Sequence, residues 1–192
     1  MMERTGIAAM RCNPLHIGHT ANIQKMCETF HNVIICLGSA QKSRTKENPF
    51  NIEERHQMLY NVFGERIRIV HLNDLGTLRD TNEWCDYIIK KINGLGLPEP
   101  TDYVTGSRQD SLWYRGRFWN GDHDPLETHY TFDGALRRLH VMDRRMLPIS
   151  ATEIRGYLEL SDDGWKDFVP KVNWEYIEEN FPEELKVVGK EK

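Results

Sequence analysis

Two histidines, His16 and His19, flank Gly18 in the segment Asn13-Pro14-Leu15-His16-Ile17-Gly18-His19. Before it runs the short apolar stretch Gly6 to Met10, which stops at the turn-like Asn13-Pro14. After it, Ile17, Ala21, Ile23, Met26, Cys27 and Phe30 recur at helical intervals. The order is strand, loop, helix, with both imidazoles at the handover. A helix start leaves backbone N–H groups without intrahelical partners and carries the positive end of the helix dipole, so it favours an anion. Gly18 permits close approach of a phosphate to the backbone. A triphosphate is the anion that fits two imidazoles and a set of oriented N–H donors. A lone histidine would be read as a cap or a surface residue. Zinc would require further ligands, and no third donor follows at a usual spacing.

A second helix start lies far downstream, in Ile149-Ser150-Ala151-Thr152-Glu153-Ile154-Arg155. It offers the hydroxyls of Ser150 and Thr152 and, about one turn in, the Arg155 guanidinium. Ser150 and Glu153 have the spacing of a capping box. By itself this pattern is a common cap. Its co-occurrence with the histidine segment makes it a second phosphate-binding start.

The elements that must position these groups follow from hydrophobic patterning. Asn32 to Gly38 is a continuous apolar run, as expected of a parallel strand covered on both faces. The polar stretch Ser39 to Asn48 is a loop, after which Pro49 and Asn51 introduce a helix carrying Ile52, Met58, Leu59, Val62 and Phe63, closed by Gly64. Arg66 to Leu72 alternates as a strand, and Thr81 to Asn93 places Trp84, Tyr87, Ile88 and Ile92 on one helical stripe. Thr101 to Gly106 is a fourth strand. Three strand-helix alternations predict an α/β protein, a Rossmann-like doubly wound parallel sheet with C-terminal helices. From Arg108 to Asp143 the pattern suggests loops and one or two short strands. Helices are predicted over Ser150 to Leu160 and Asn173 to Asn180, and a charged, frayed tail from Pro182 onward.

The 192 residues are expected to form a single domain, with a charged tail over about 183–192. The formal net charge of −4 excludes a surface that holds nucleic acid by its phosphates alone, so any phosphate site is local. No stretch has the length of a membrane span or a signal peptide, and Cys12, Cys27, Cys36 and Cys85 form no paired motif. A cytoplasmic protein with reduced thiols is the expectation.

The histidine segment together with Ile149 to Arg155 resembles the HxGH nucleotidyltransferase superfamily. Within it, the chain is most similar to nicotinamide-mononucleotide adenylyltransferases of the archaeal type and of the N-terminal domain of bacterial adenylyltransferase–Nudix fusions. Three further segments carry that likeness: Ile34 to Leu59 (IICLGSAQKSRTKENPFNIEERHQML), Thr81-Asn82-Glu83-Trp84, and Val104 to Asp110 (VTGSRQD). The resemblance implies transfer of AMP from ATP to nicotinamide mononucleotide (NMN), giving NAD and pyrophosphate, with Mg²⁺ bridging the phosphates. It implies that His16, His19 and Arg155 are catalytic, and that Arg11, Asn13, Gly18, Gly106, Arg108, Ser150 and Thr152 bind ATP. For NMN it implies Ser39, Arg44, Asn48, Asn82 and Trp84, the tryptophan stacking on the nicotinamide ring. A homo-oligomer, with neither nucleic acid nor membrane as partner, is the expected state. One departure stands out: Glu47 precedes Asn48-Pro49-Phe50 where the family has arginine, leaving Lys42, Arg44 or Lys46 to supply the charge. A pantetheine-phosphate or nicotinate-mononucleotide adenylyltransferase, a cytidylyltransferase, and a non-catalytic sensor of NAD or ATP are the alternative readings. A class I aminoacyl-tRNA synthetase shares the literal HIGH but needs a longer chain and a lysine-rich KMSKS loop.

Overall fold

Val33, Ile35 and Leu37 point to one side of the central sheet and Ile34 and Cys36 to the other, all of them buried. This period of two explains why the strand reads as an unbroken apolar run: each face is covered by helices. The computed structural model describes residues 3–76, 81–106, 137–141 and 149–187, with the backbone alone at 81 and 82. In chain order the principal elements are β1 (Thr5–Met10), α1 (Ile17–Thr29), β2 (Asn32–Leu37), α2 (Ile52–Phe63), β3 (Arg68–His71), α3 (Thr81–Gly94), β4 (Asp102–Thr105), β5 (Arg138–Val141), α4 (Ala151–Glu159) and α5 (Trp174–Asn180). Short 3₁₀ turns occupy Gly64–Arg66, Asp163–Phe168, Lys171–Asn173 and Glu183–Leu185.

The five strands are parallel, in the order β3-β2-β1-β4-β5. The chain builds outward from β1 through β2 to β3, then returns by α3 to lay β4 against the other side of β1. That reversal puts a topological switch point between β1 and β4, the place where open α/β sheets bind ligands beyond the carboxyl ends of their strands. The loop carrying Arg11 to His16 leaves β1 at this point, and Gly106 follows β4. One core cluster packs α1, α2, α4 and α5 on one face of the sheet, through Ile23, Met26, Met58, Leu59, Ile154 and Ile177. The other packs Cys85, Ile88 and Ile92 of α3 against Ile34, Val70, Tyr103 and Leu139. At Gly6 the close approach of Phe30 requires glycine, because a Cβ there would lie 2.2 Å from the Phe30 ring.

Helix α2 starts where Asn51 forms a reciprocal capping box with Glu54: the Glu54 N–H donates to Asn51 Oδ1 and the Asn51 N–H to Glu54 Oε2, both at 2.8 Å. Such caps are typically worth ~1 kcal/mol. Asn173, fully buried, ties the C-terminal segment to α2 by donating to the Met58 carbonyl (2.9 Å) and accepting from Asn61 (2.9 Å).

The predicted elements are all present within one or two residues at most ends. The strand β5 is one of the short strands expected between Arg108 and Asp143, and positions 108–136 and 142–143 are outside the described residues. The tail predicted as frayed from Pro182 is instead tied down at its start: Phe181 and Pro182 are buried, Phe181 meets the Phe50 ring edge-on at 5.9 Å, and the N–H of the exposed Val187 donates to the Glu159 carbonyl at 2.7 Å, with 188–192 outside the described residues. Among the described residues no helix is long and apolar enough to cross a membrane. All four cysteines are free, and burial pushes the Cys36 thiol up to about 12, far from a reactive thiolate.

Candidate active site

His16 is the N-cap of α1, and its Nδ1 accepts a hydrogen bond from the Gly18 N–H at 3.2 Å. An imidazole that accepts through Nδ1 in its neutral form carries its proton on Nε2. The backbone thus selects the tautomer that presents an N–H donor from the other side of the ring. His19, in the first turn of the helix, stacks on His16 with ring centroids 3.7 Å apart and planes at 27°. Gly18 lies between them, where a Cβ would press on the His16 ring at 3.1 Å. The segment Asn13 to His19 therefore combines a helix N-terminus free of acidic residues in its first turn with two stacked imidazoles.

The loop before it is clamped from two sides. Asn13 Nδ2 donates to the Phe50 carbonyl (3.0 Å) and Asn13 Oδ1 accepts from the Phe50 N–H (3.1 Å), joining the first loop to the Asn48-Pro49-Phe50 turn. From the far end of the sequence, Arg155 Nη1 donates to the Asn13 carbonyl at 3.0 Å and Nη2 to Thr152 Oγ1 at 3.0 Å. Ser150 caps α4 by accepting from the Glu153 N–H at 3.2 Å. The two helix starts singled out in the sequence are thus one site, although residues 13 and 155 are 142 positions apart.

Arg155 is mostly buried, and its acidity is raised by burial and by the like charge of Arg11, an effect opposed by Glu47 and Glu159. The Arg11 guanidinium is exposed at the end of β1 and has no hydrogen-bond or ion-pair partner among the described residues. Two guanidiniums that disfavour each other are stabilised by a polyanion placed between them. Glu47, standing where the family has arginine, acts electrostatically on Arg155.

Ser39, after β2, donates to Asp74 Oδ1 at 2.9 Å, and Lys42 pairs with the same carboxylate at 2.7 Å. Asp74 is pushed up by burial, but the hydrogen bonds of Lys42 and Ser39 and the charges of Lys42 and Arg11 hold it below the usual carboxylate range. Gln41 and the Asp74 backbone complete the stitch, the Asp74 N–H donating to Gln41 Oε1 at 3.1 Å. Arg44 donates to the carbonyls of Pro49 (3.2 Å) and Asn180 (3.1 Å) and pairs with Glu54. Lys46 pairs with Glu159 at 3.4 Å. Every basic residue of this loop is already partnered, so each could meet a substrate phosphate only by exchanging partners.

Asn48 is buried, and its Oδ1 has no hydrogen-bond partner among the described residues. A buried amide oxygen left so costs about 1–3 kcal/mol, a penalty that a ligand donor would relieve. Trp84 is partly buried on α3, packed against the second core cluster with its ring 5.8 Å from that of Tyr87. Gly106 lies just beyond β4, while Arg108 and the side chain of Asn82 are outside the described residues. Sequence reasoning missed Asp74 and Arg55. Asp74 lies in a loop that gave no periodic signal. Arg55 did leave one, because it interrupts the apolar stripe of α2 between Ile52 and Leu59.

The same region carries the relationships of the chain. The family described as cytidylyltransferase-like matches residues 11–157, from Arg11 of the first loop past Arg155. The nicotinamide-nucleotide adenylyltransferase of Thermococcus sibiricus is 30% identical over 177 residues, covering 91% of this chain and 83% of that one. That of Pyrococcus abyssi is 29% identical over 179 residues, covering 91% and 82%. Among solved structures, the NadR protein in complex with NAD and AMP-PNP superposes with a TM-score of 0.64 at 21% identity, covering 90% of this chain and 46% of that chain. The bifunctional NMN adenylyltransferase/ADP ribose pyrophosphatase from Francisella tularensis gives a TM-score of 0.62 at 21% identity, covering 82% and 42%. This chain spans less than half of either structure, and at that identity the likeness establishes the fold alone. With a family match that spans both helix starts and a relative related along nearly its whole length, the chain belongs to the cytidylyltransferase-like family, among its nicotinamide-nucleotide adenylyltransferases.

Proposed function

We propose that this enzyme transfers AMP from ATP to NMN, releasing NAD and pyrophosphate, and that it does so with the residues gathered at Asn13. The observation that carries the reading is the Arg155 hydrogen bond to the Asn13 carbonyl, which ties a buried cation to the loop that leads into the His16–His19 pair. In the reaction an oxygen of the acceptor phosphate attacks the α-phosphorus of ATP. The bond from that phosphorus to the bridging oxygen breaks, and pyrophosphate leaves with the electron pair. A phosphate monoester is already nucleophilic, so no general base is required. What remains is in-line alignment and neutralisation of charge on the α-phosphate and leaving group. His16, through Nε2–H, and His19, Arg11 and Arg155 serve that end, with Gly18 and Gly106 giving the nucleotide close access to backbone.

Mg²⁺ arrives with ATP as part of the substrate, offsetting triphosphate charge. Among the described residues no three His, Cys, Asp or Glu side chains gather to hold a metal. Ser39, Arg44, Asn48, Asn82 and Trp84 are assigned to the NMN side.

Incubation with ATP, Mg²⁺ and, in turn, NMN, nicotinate mononucleotide and phosphopantetheine, while following pyrophosphate, tests the acceptor. NMN is expected to give the highest kcat/KM. A faster reaction with another phosphate reassigns the substrate, and NAD binding without turnover on any acceptor favours a sensor. Trp84→Ala should raise the KM for NMN about tenfold, the order of a lost aromatic stacking contact plus its buried area, with kcat and the KM for ATP little changed. A drop in melting temperature without that selective change would make Trp84 a packing residue only.

A further inference from the structure

Arg55 is among the largest fully buried side chains of the protein, and it has no carboxylate partner among the described residues. Its donors go to main-chain carbonyls: Nε to Asn51 (3.2 Å), Nη1 to Arg11 (3.0 Å) and Gly38 (2.8 Å), and Nη2 to Ser39 (3.1 Å). Burying a guanidinium without an opposite charge is unfavourable, and it persists only where hydrogen bonds satisfy its protons. Those four carbonyls belong to the three segments that deliver the site: the end of β1, the end of β2 and the start of α2.

Two of these segments have backbone that an L-residue adopts reluctantly. Cys12, next to the Arg11 carbonyl, has φ 48°, and Ser39 has φ 52°. Left-handed conformations at non-glycine residues persist when surrounding structure over-determines them, and such strain gathers where a ligand is held. The planar fork of one guanidinium joins both, since Nη1 spans Arg11 and Gly38 while Nη2 takes Ser39. From Arg11 and Cys12 the chain passes directly to Asn13 and His16. From Ser39 it passes to the loop reaching Asn48.

We propose that Arg55 is a positioning residue for adenylyl transfer: its fork fixes the backbone after β1 relative to the backbone after β2, and so sets the triphosphate cradle against the acceptor side. The inference rests on the reaction proposed above. Lysine keeps the charge but presents a compact ammonium without fork geometry, so it is a poor substitute here. Misplacement of reacting groups by about 1 Å can lower turnover about 100-fold.

The test compares wild type with Arg55→Lys and Arg55→Ala, each scored per folded molecule, by NAD formation and by ATP affinity in calorimetry. Arg55→Ala is expected to lose about 100-fold in turnover and about tenfold in ATP affinity. Both should be restored by roughly 50 mM guanidinium chloride, far below the molar range that unfolds domains, and not by methylammonium at the same concentration. Arg55→Lys is expected to lose turnover while staying folded, and it carries the test if the alanine variant does not fold. Turnover and ATP affinity in Arg55→Lys equal to wild type per folded molecule would overturn the proposal, as would equal rescue of Arg55→Ala by either cation. If wild type binds ATP yet forms no NAD from NMN, the acceptor assignment fails, and the ATP-affinity arm still decides for or against Arg55.

Discussion

Replacing His19 with alanine is expected to lower turnover by about two to three powers of ten, the usual consequence of losing one oriented donor to developing charge. The ring is partly exposed in the first turn of α1 and stacks on His16, so its removal should leave the buried face of the helix, Ile23 and Met26, in place. Steady-state NAD formation alongside a thermal melt separates the two effects. A folded variant that turns over like wild type would remove His19 from the mechanism. A raised KM for ATP with unchanged kcat would confine it to ground-state binding.

The second large effect lies at the opposite end of the sheet. Asp102 starts β4 with no exposed surface, and it accepts from Arg4 Nη2 (2.5 Å) and Nε (3.2 Å), from Thr101 Oγ1 (2.7 Å) and from His140 Nε2 (2.7 Å), with Arg138 at 3.7 Å. Burial pushes its carboxyl up, but the hydrogen bonds from His140, Arg4 and Thr101 and the charge of Arg4 hold it well below the usual carboxylate range. A carboxylate depressed on folding contributes stability that is complete above its unfolded value, about 4, and is lost as pH falls from there toward its folded value. Asp102→Asn should therefore cost about 3 kcal/mol at neutral pH, the lower end for breaking a buried pair, because Arg4 and Arg138 keep access to water. For a chain of this length that is roughly 6–12 °C in Tm. Melts from pH 3 to pH 7 should show the gap between wild type and variant narrowing below about pH 4. Turnover per folded molecule at neutral pH should be unchanged, and a constant gap across that range would exclude the carboxylate as its source.

Those two residues illustrate what the sequence discloses and what it withholds. The cradle was legible because its physics is local: a strand, a proline turn, two histidines and a helix start follow one another within a dozen positions. Helix α4 was legible through Ser150 and Glu153, which meet as their spacing requires. The Asp102 cluster was not, because Arg4 lies just before β1 while Asp102 and His140 lie on β4 and β5, and their adjacency depends on the β1-β4-β5 order. Strand β5 was obscured because four residues that include an arginine and a histidine give too short an alternation to distinguish from loop. The roles of Asn13, Arg44 and Thr152 sharpened in a similar way. The family resemblance implied substrate contacts for them, and in the structure each holds another part of the protein: Phe50, the Pro49 and Asn180 carbonyls, and Arg155. Arg55, within the Ile34 to Leu59 segment, is another such holding residue.

The bond between Arg155 and the Asn13 carbonyl also bears on how the protein is made. A ribosome that has released only the first hundred or so residues has delivered both histidines, yet the guanidinium that closes their site is still to come. On the roles proposed for these residues, nucleotide capture waits for the chain to extend past Arg155. If ATP binds this fold and not its precursors, mass action adds the free energy of ligation to the stability of that fold alone. Cellular ATP thereby favours molecules whose two distant helix starts have already met.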